Sequence, residues 1–163
     1  MMTIAQIMEK MIAFSEGNIH DITHLSCVWT YAKTIGELEG LDAETRFILE
    51  VAAITHDIAC PLCRKKYGNT NGSYQEQEGD PLVREFLADT GMTAAQIDRV
   101  AYLVGHHHSP AQIDGIDYQI LIEADYIVNA SESGYSRQAI QSFMEHTMKT
   151  AAGIRLTKTV FGV

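Results

Sequence analysis

Cysteine is scarce in this chain, with Cys27, Cys60 and Cys63 the only three in 163 residues. An odd number this small excludes a disulfide framework as the source of stability. Cys60-Pro-Leu-Cys63 spells one CxxC, but a structural zinc knuckle needs a second ligand pair at short spacing and none follows, so the thiols read as ordinary reduced side chains. Proline is as rare, at three, and with 46% hydrophobic and 20% charged residues this excludes a disordered chain. Long apolar runs are missing too. Stretches such as Val51 to Thr55 and Ile120 to Ile122 fall far short of the roughly 18 residues a membrane span needs, so no membrane partner is expected. Positive charge is in short supply: twelve Lys and Arg against twenty-one Asp and Glu leave a formal charge of -9. That sign is wrong for following a phosphate backbone, which excludes nucleic-acid polymers as partners. Small phosphorylated ligands stay open, because a metal ion or a local basic cluster reverses the field inside an acidic protein. The opening MMTIAQIMEKMIAF has neither a basic start nor a small-residue cleavage site, and a cytoplasmic location is expected.

What is present is helical periodicity. Residues 1–163 fit one domain. Ile4, Ile7, Met8, Met11 and Ile12 recur at helix spacing, as do Leu25, Val28, Trp29, Ala32 and Ile35. A third helix is predicted from Asp42, as N-cap, to about Ile58; it is nearly all apolar from Phe47 to Ile54 and therefore central. Pro61 makes it end close to His56-Asp57. Tyr67 to Gly79, rich in Gly, Asn and Ser, reads as a loop. Leu82 to Leu87, Ala94 to Val104 (capped by Thr93) and Tyr118 to Ala130 give further helices, and Ile140, Phe143, Met144 and Met148 a last one before a tail from Gly153, short helix or extended. No repeat and no alternating strand pattern appears, so the fold class is all-α, a single helical bundle.

Six of seven histidines fall in three places: His20 and His24, His56, and His106 to His108. A lone histidine is usually structural, so the arrangement has to argue jointly. Asp57 stands at the end of the most apolar helix, where an unpaired inward charge is expensive and a cation resolves the cost. Asp125 repeats the puzzle, sharing a helical face with Leu121, Ile122 and Val128. His24 shares a helical row with Val28 and looks inward from the second helix. Together the four residues supply a mixed nitrogen and oxygen donor set for a metal.

The order His24, then His56-Asp57, then Asp125 resembles the HD domain superfamily of metal-dependent phosphohydrolases, whose fold is an all-α bundle. HDITHLSCVWTYAKTIGELEGLD is similar to the family's opening segment, AAITHDIA to its approach to the central pair, and VGHHHS and LIEADYIVNA to its later histidine and final aspartate segments, over roughly residues 18 to 132. The resemblance implies His24, His56, Asp57 and Asp125 as metal ligands, with Asp57 bridging if a second ion binds. His106 and His107 match the segment that supplies second-metal ligands in binuclear members, while His108 matches it least. One departure stands out: no histidine lies between Asp57 and His106, and Glu76 or, preferentially, Glu78 is the candidate substitute. His20 and Asp21 match the first HD of the opening pattern and either cap the second helix or hydrogen-bond a ligand or the substrate.

Imidazole and carboxylate together suit one or two divalent transition ions (Mn, Fe, Co, Ni or Zn), and the chemistry implied is hydrolysis of a phosphate by activated water, with Asp57 as catalytic residue orienting the water or taking its proton. Arg64, Lys65 and Lys66 follow the HD pair in a chain otherwise short of cations and are the candidate phosphate-binding residues. The expected substrate is a small phosphate ester, a nucleotide foremost. A non-catalytic metal- and nucleotide-binding regulatory module and a di-iron oxygenase are the competing readings; the first would be favoured by a missing ligand, yet all four core ligands are present, and the second needs the absent histidine. The oligomeric state is not encoded in any motif.

Overall fold

Where the apolar periodicity is strongest, the chain is helical, and a computed structural model describes all residues from Met1 to Val163. Nine α-helices follow in order: α1 (Ile4–Phe14), α2 (Ile19–Leu38), α3 (Ala43–Thr55), α4 (Cys60–Tyr67), α5 (Gly72–Leu87), α6 (Ala94–Val104), α7 (Ile116–Ser133), α8 (Arg137–His146) and α9 (Ala151–Phe161), with a short 3-10 turn at Pro110–Gln112. No strand is present. No helix is long and apolar enough to cross a membrane.

Local capping sets several boundaries. The Asp42 side chain accepts from the Glu44 and Thr45 amides to start α3, and Thr93 forms a reciprocal box with Gln96 to start α6. The cap of α2 is Asn18, which accepts from the Asp21 amide, so His20 and Asp21 are free of that task. Helices α2, α3 and α7 pack on one another, α6 packs on α3, and α5 covers α6. Leu25, Ile35, Leu49, Ile54, Leu121 and Ile127 are fully or almost fully buried between them. Each buried side chain of this size contributes about 1.5–3 kcal/mol, so the three central helices form one stiff frame, and the functional side chains project from it.

The expected loop over residues 67–79 is corrected by the structure. Gly68, at φ 73, ends α4 in the left-handed region, and only a brief link separates it from α5, which begins at Gly72. The glycines that suggested a loop are there for close packing. A Cβ on Gly72 would lie 2.8 Å from His108 Cγ, and one on Gly79 would lie 2.9 Å from Val104 Cγ1. Helix α5 also runs through Pro81, a residue that costs about 3 kcal/mol in a helix interior; burial of Val83, Phe86 and Leu87 offsets that cost. At the chain end, the two alternatives for the tail resolve as helix: Thr150 caps α9 by accepting from the Gly153 amide.

Candidate metal centre

Helix α3 stops at Thr55, which turns His56 and Asp57 toward the same space rather than about 100° apart. His56 is fully buried, and its Nδ1 donates to the Ala53 carbonyl at 2.8 Å, which leaves Nε2 to face the interior. His24, on α2, has its Nδ1 3.0 Å from the Glu132 carboxylate, and its Nε2 lies 3.2 Å from His56 Nε2. Asp125, on α7, places Oδ1 3.2 Å from His24 Nε2 and 3.5 Å from His56 Nε2. Asp57 Oδ2 is 3.5 Å from His24 Nε2 and 3.6 Å from His56 Nε2. The structure therefore brings His24, His56, Asp57 and Asp125 together from three segments of the chain.

His107 joins them. Its Nδ1 donates to the Val104 carbonyl at 2.8 Å, and its buried Nε2 has no hydrogen-bond partner while lying 3.4 Å from Asp57 Oδ1. Asp57 thus belongs to two triads, one with His24 and His56 and one with His107 and His108, the donor atoms of each within 4.8 Å of one another.

Electrostatics within the cluster favour a cation. Burial alone would lower the His56 imidazole, yet Asp57 and Asp125 overcome it and raise the value to about 9. His24 is raised as well, burial again opposing and the Asp125 hydrogen bond prevailing. Burial works to raise both carboxyls, but His56 and His107 at Asp57, and His24 and His56 at Asp125, hold them well below the usual carboxylate range. Two ionised carboxylates thus face imidazole nitrogens whose opposite ring nitrogens are occupied. Facing Nε2 lone pairs at 3.2 Å repel unless a proton or a metal ion lies between them. The donor set fits a divalent transition ion.

Several sequence expectations end elsewhere. His106 turns away from the cluster: its Nδ1 donates to the Tyr102 carbonyl and its ring stacks on Tyr102. His108, which matched the family segment least, takes the place expected of His106 beside Asp57 and His107. Glu78 is held by Lys66 at 2.6 Å and by the Tyr67 hydroxyl at 2.6 Å, and Glu76 accepts from the His108 amide and the Ser109 hydroxyl. Neither glutamate joins the triads, because α5 is a helix there and points both elsewhere. Among the three cations only Arg64, ion-paired with Asp21, lines the cavity in front of the cluster. Lys66 is spent on Glu78, and Lys65 lines a neighbouring groove with Pro61 and Leu62. The two CxxC thiols are buried and free, and burial pushes the Cys60 thiol far above its ordinary value, against any thiolate role.

Three residues of the site were not foreseen. Glu132 fixes the His24 tautomer, and Asn129 donates to Asp125 Oδ1 at 2.8 Å. Both continue the face of α7 that carries Asp125, at i+4 and i+7, so the helical period held their signal. Gln75 is the third, and no pattern marks it. Helix α5 sends it into the cavity with Nε2 donating to the Thr70 carbonyl and Oε1 buried without a partner. The Glu132→Gln substitution is expected to weaken metal affinity by roughly 10- to 100-fold, since it disturbs the group that orients His24, while leaving the fold intact. Metal titration by calorimetry checks this; unchanged affinity would reduce Glu132 to a surface acid.

The cavity in front of the cluster measures about 170 Å³, and its only hydrophobic lining residue is Cys60. A helical frame thus converges buried histidines and carboxylates that could hold a metal ion on one polar cleft. The HD domain model matches residues 21–133, and the chain belongs to that family of metal-dependent hydrolases. The crystal structure of a predicted HD superfamily hydrolase from an uncultured Thermotogales bacterium shares the fold, with a TM-score of 0.70 over 97% of this chain and 84% of that one at 20% identity. Comparison with curated proteins gives no match.

Proposed function

We propose that this protein is a phosphohydrolase that cleaves a small phosphate ester, a nucleotide foremost, with one or two divalent transition ions (Mn, Fe, Co, Ni or Zn). His24, His56, Asp57 and Asp125 would hold the first ion, and His107 and His108 a second that shares Asp57. One observation carries this reading: His24, His56 and His107 each have Nδ1 engaged by an acceptor, with Nε2 of the first two facing both Asp57 and Asp125 and Nε2 of the third facing Asp57. An ion held there supplies Lewis acidity toward a phosphoryl oxygen and lowers the pKa of a water toward neutrality.

The chain's own residues do the rest. Asp57, between the two triads, orients the attacking water and accepts its proton. Arg64 at the cavity wall binds phosphoryl oxygens, and Asp21 keeps its guanidinium from folding away. Gln75 Oε1, fixed as an acceptor by the Thr70 contact, accepts a hydrogen bond from a hydroxyl of substrate or water.

Phosphate release from a panel of nucleotides and simple phosphate esters, run with each divalent ion in turn, tests the reading. Metal-dependent release abolished by chelation and restored by metal is expected; binding without turnover under every ion would assign a regulatory module instead. Within that assay Arg64→Ala is expected to lower kcat/KM by roughly ten- to a hundred-fold, the value of one charge-assisted phosphate contact. Lys65→Ala and Lys66→Ala should match the parent, and an equal loss in all three would mean that the cluster acts only as diffuse charge.

A further inference from the structure

A second cavity, of about 190 Å³, is lined by His107, His108 and Asp125 of the same cluster. It shares His108, Asp125 and Asn129 with the first cavity, so the two adjoin along those residues. Their walls differ in kind. The first has no aliphatic or benzenoid side chain, whereas the second is built on Tyr126, Tyr135 and Phe143. Tyr126 and Phe143 stack face to face, their centroids 3.5 Å apart and planes 2° from parallel, which leaves the outer faces of the pair open to a further ring, and the Tyr135 ring sits 5.6 Å from Tyr126 at a tilt of 57°. Tyr135 is 42% exposed although its backbone amide is tied to the Ala130 carbonyl. A partly exposed aromatic ring on the wall of a small concavity, beside a stacked aromatic pair, is suited to a flat ligand rather than to a helix or an extended peptide.

We propose that this aromatic cavity is the base subsite of the substrate: the phosphate enters the polar cavity beside Arg64 while a nucleobase stacks among Tyr126, Tyr135 and Phe143. The inference rests on the phosphohydrolase reading for the reaction but not for the binding of the ring. A polar, cation-bearing pocket joined through a metal-type cluster to an aromatic one matches a molecule charged at one end and planar at the other. Asn129 stands at the junction; its Nδ2 is given to Asp125, and its Oδ1 faces no protein donor and accepts from a hydroxyl of the connecting sugar. Stacking rather than edge hydrogen bonding would dominate, so preference among bases is expected to be shallow.

The test compares adenosine monophosphate, 4-nitrophenyl phosphate and glycerol phosphate as substrates of the metal-loaded wild type and of Tyr135→Ser. Loss of the Tyr135 ring is expected to reduce the ratio of kcat/KM for adenosine monophosphate over glycerol phosphate roughly ten-fold, mainly through KM. A second readout needs no turnover: adenosine, which has no phosphate, is titrated into the protein while the Tyr126 and Tyr135 ring resonances are followed by NMR. Shifts in the wild type that vanish in Tyr135→Ser support the subsite. An unchanged substrate ratio, or no ring shifts with adenosine, overturns it even if phosphate esters are hydrolysed. If Tyr135→Ser lowers kcat/KM for the nitrophenyl ester but not for adenosine monophosphate, the nucleobase is overturned as occupant. If no ester is hydrolysed under any ion, the hydrolase reading fails, and the adenosine titration still decides the subsite.

Discussion

The Asp57→Ala variant is expected to lose at least about a thousand-fold in kcat and to bind neither ion, because several kcal/mol of transition-state stabilisation depend on the metal and each 1.4 kcal/mol is ten-fold in rate. Asp57 is the one residue common to both triads, so no other single substitution removes a donor from each. The fold should survive. His56, which would be left beside a missing anion, is an imidazole and can shed its proton, unlike a buried lysine or arginine, so no uncompensated charge is trapped. Metal content, phosphate release and thermal unfolding of the purified variant check the three parts. Full turnover with added metal would remove Asp57 from the chemistry, and a collapsed fold would make its role structural.

The metal-free protein is expected to lose stability on the alkaline side, which a protein held by ionised carboxylates alone would not do. His56 is raised from 6.5 to about 9, so it binds its proton more tightly folded than unfolded. Its contribution is complete below pH 6.5 and is lost as the pH rises through about 9. The raised His24 acts in the same direction. Asp57 and Asp125, depressed below the ordinary 3.8, contribute above that value and lose their contribution as the medium becomes more acidic. The metal-free protein should thus have a plateau between these limits and a decline on either side of it. For His56 the decline amounts to about 3 kcal/mol, which at roughly 2–4 °C per kcal/mol for a domain of this size lowers Tm by on the order of 6–12 °C. With saturating metal the trend should invert, since the ion replaces the protons and its affinity grows as they leave. Calorimetric scans at pH 6 and pH 9, stripped and loaded, measure both slopes. A stripped protein as stable at pH 9 as at pH 6 would show that the histidines do not share protons with the two aspartates.

The helices that the sequence announces most clearly are those with both a period and a cap: Asp42 and Thr93 open α3 and α6 where they were expected. Composition misled over residues 67–79, because glycine signals either a turn or a close approach, and only the neighbouring His108 and Val104 tell the two apart. In the site, His24, His56, Asp57 and Asp125 could be nominated together because each is polar on an otherwise apolar face, and a face is a property of the sequence. Of the later histidines, His107 continues the helical row of Val100 and Val104, which leads inward, but which of His106 and His108 accompanies it could not be read, since α6 ends at Val104 and helical periodicity stops with it. Gln75 left no trace either: a glutamine on a surface helix looks ordinary until the fold closes over its Oε1.

The central claim is that the cluster of His24, His56, Asp57 and Asp125 is a metal site, and diffraction from metal-loaded crystals recorded at the absorption edge of the bound ion tests it most directly. The account predicts an anomalous peak about 2.0–2.2 Å from His24 Nε2, His56 Nε2 and a carboxylate oxygen each of Asp57 and Asp125, with those imidazoles still donating through Nδ1. A peak at Cys60 and Cys63 or on the acidic surface, with the cluster closed upon its own protons, would contradict it.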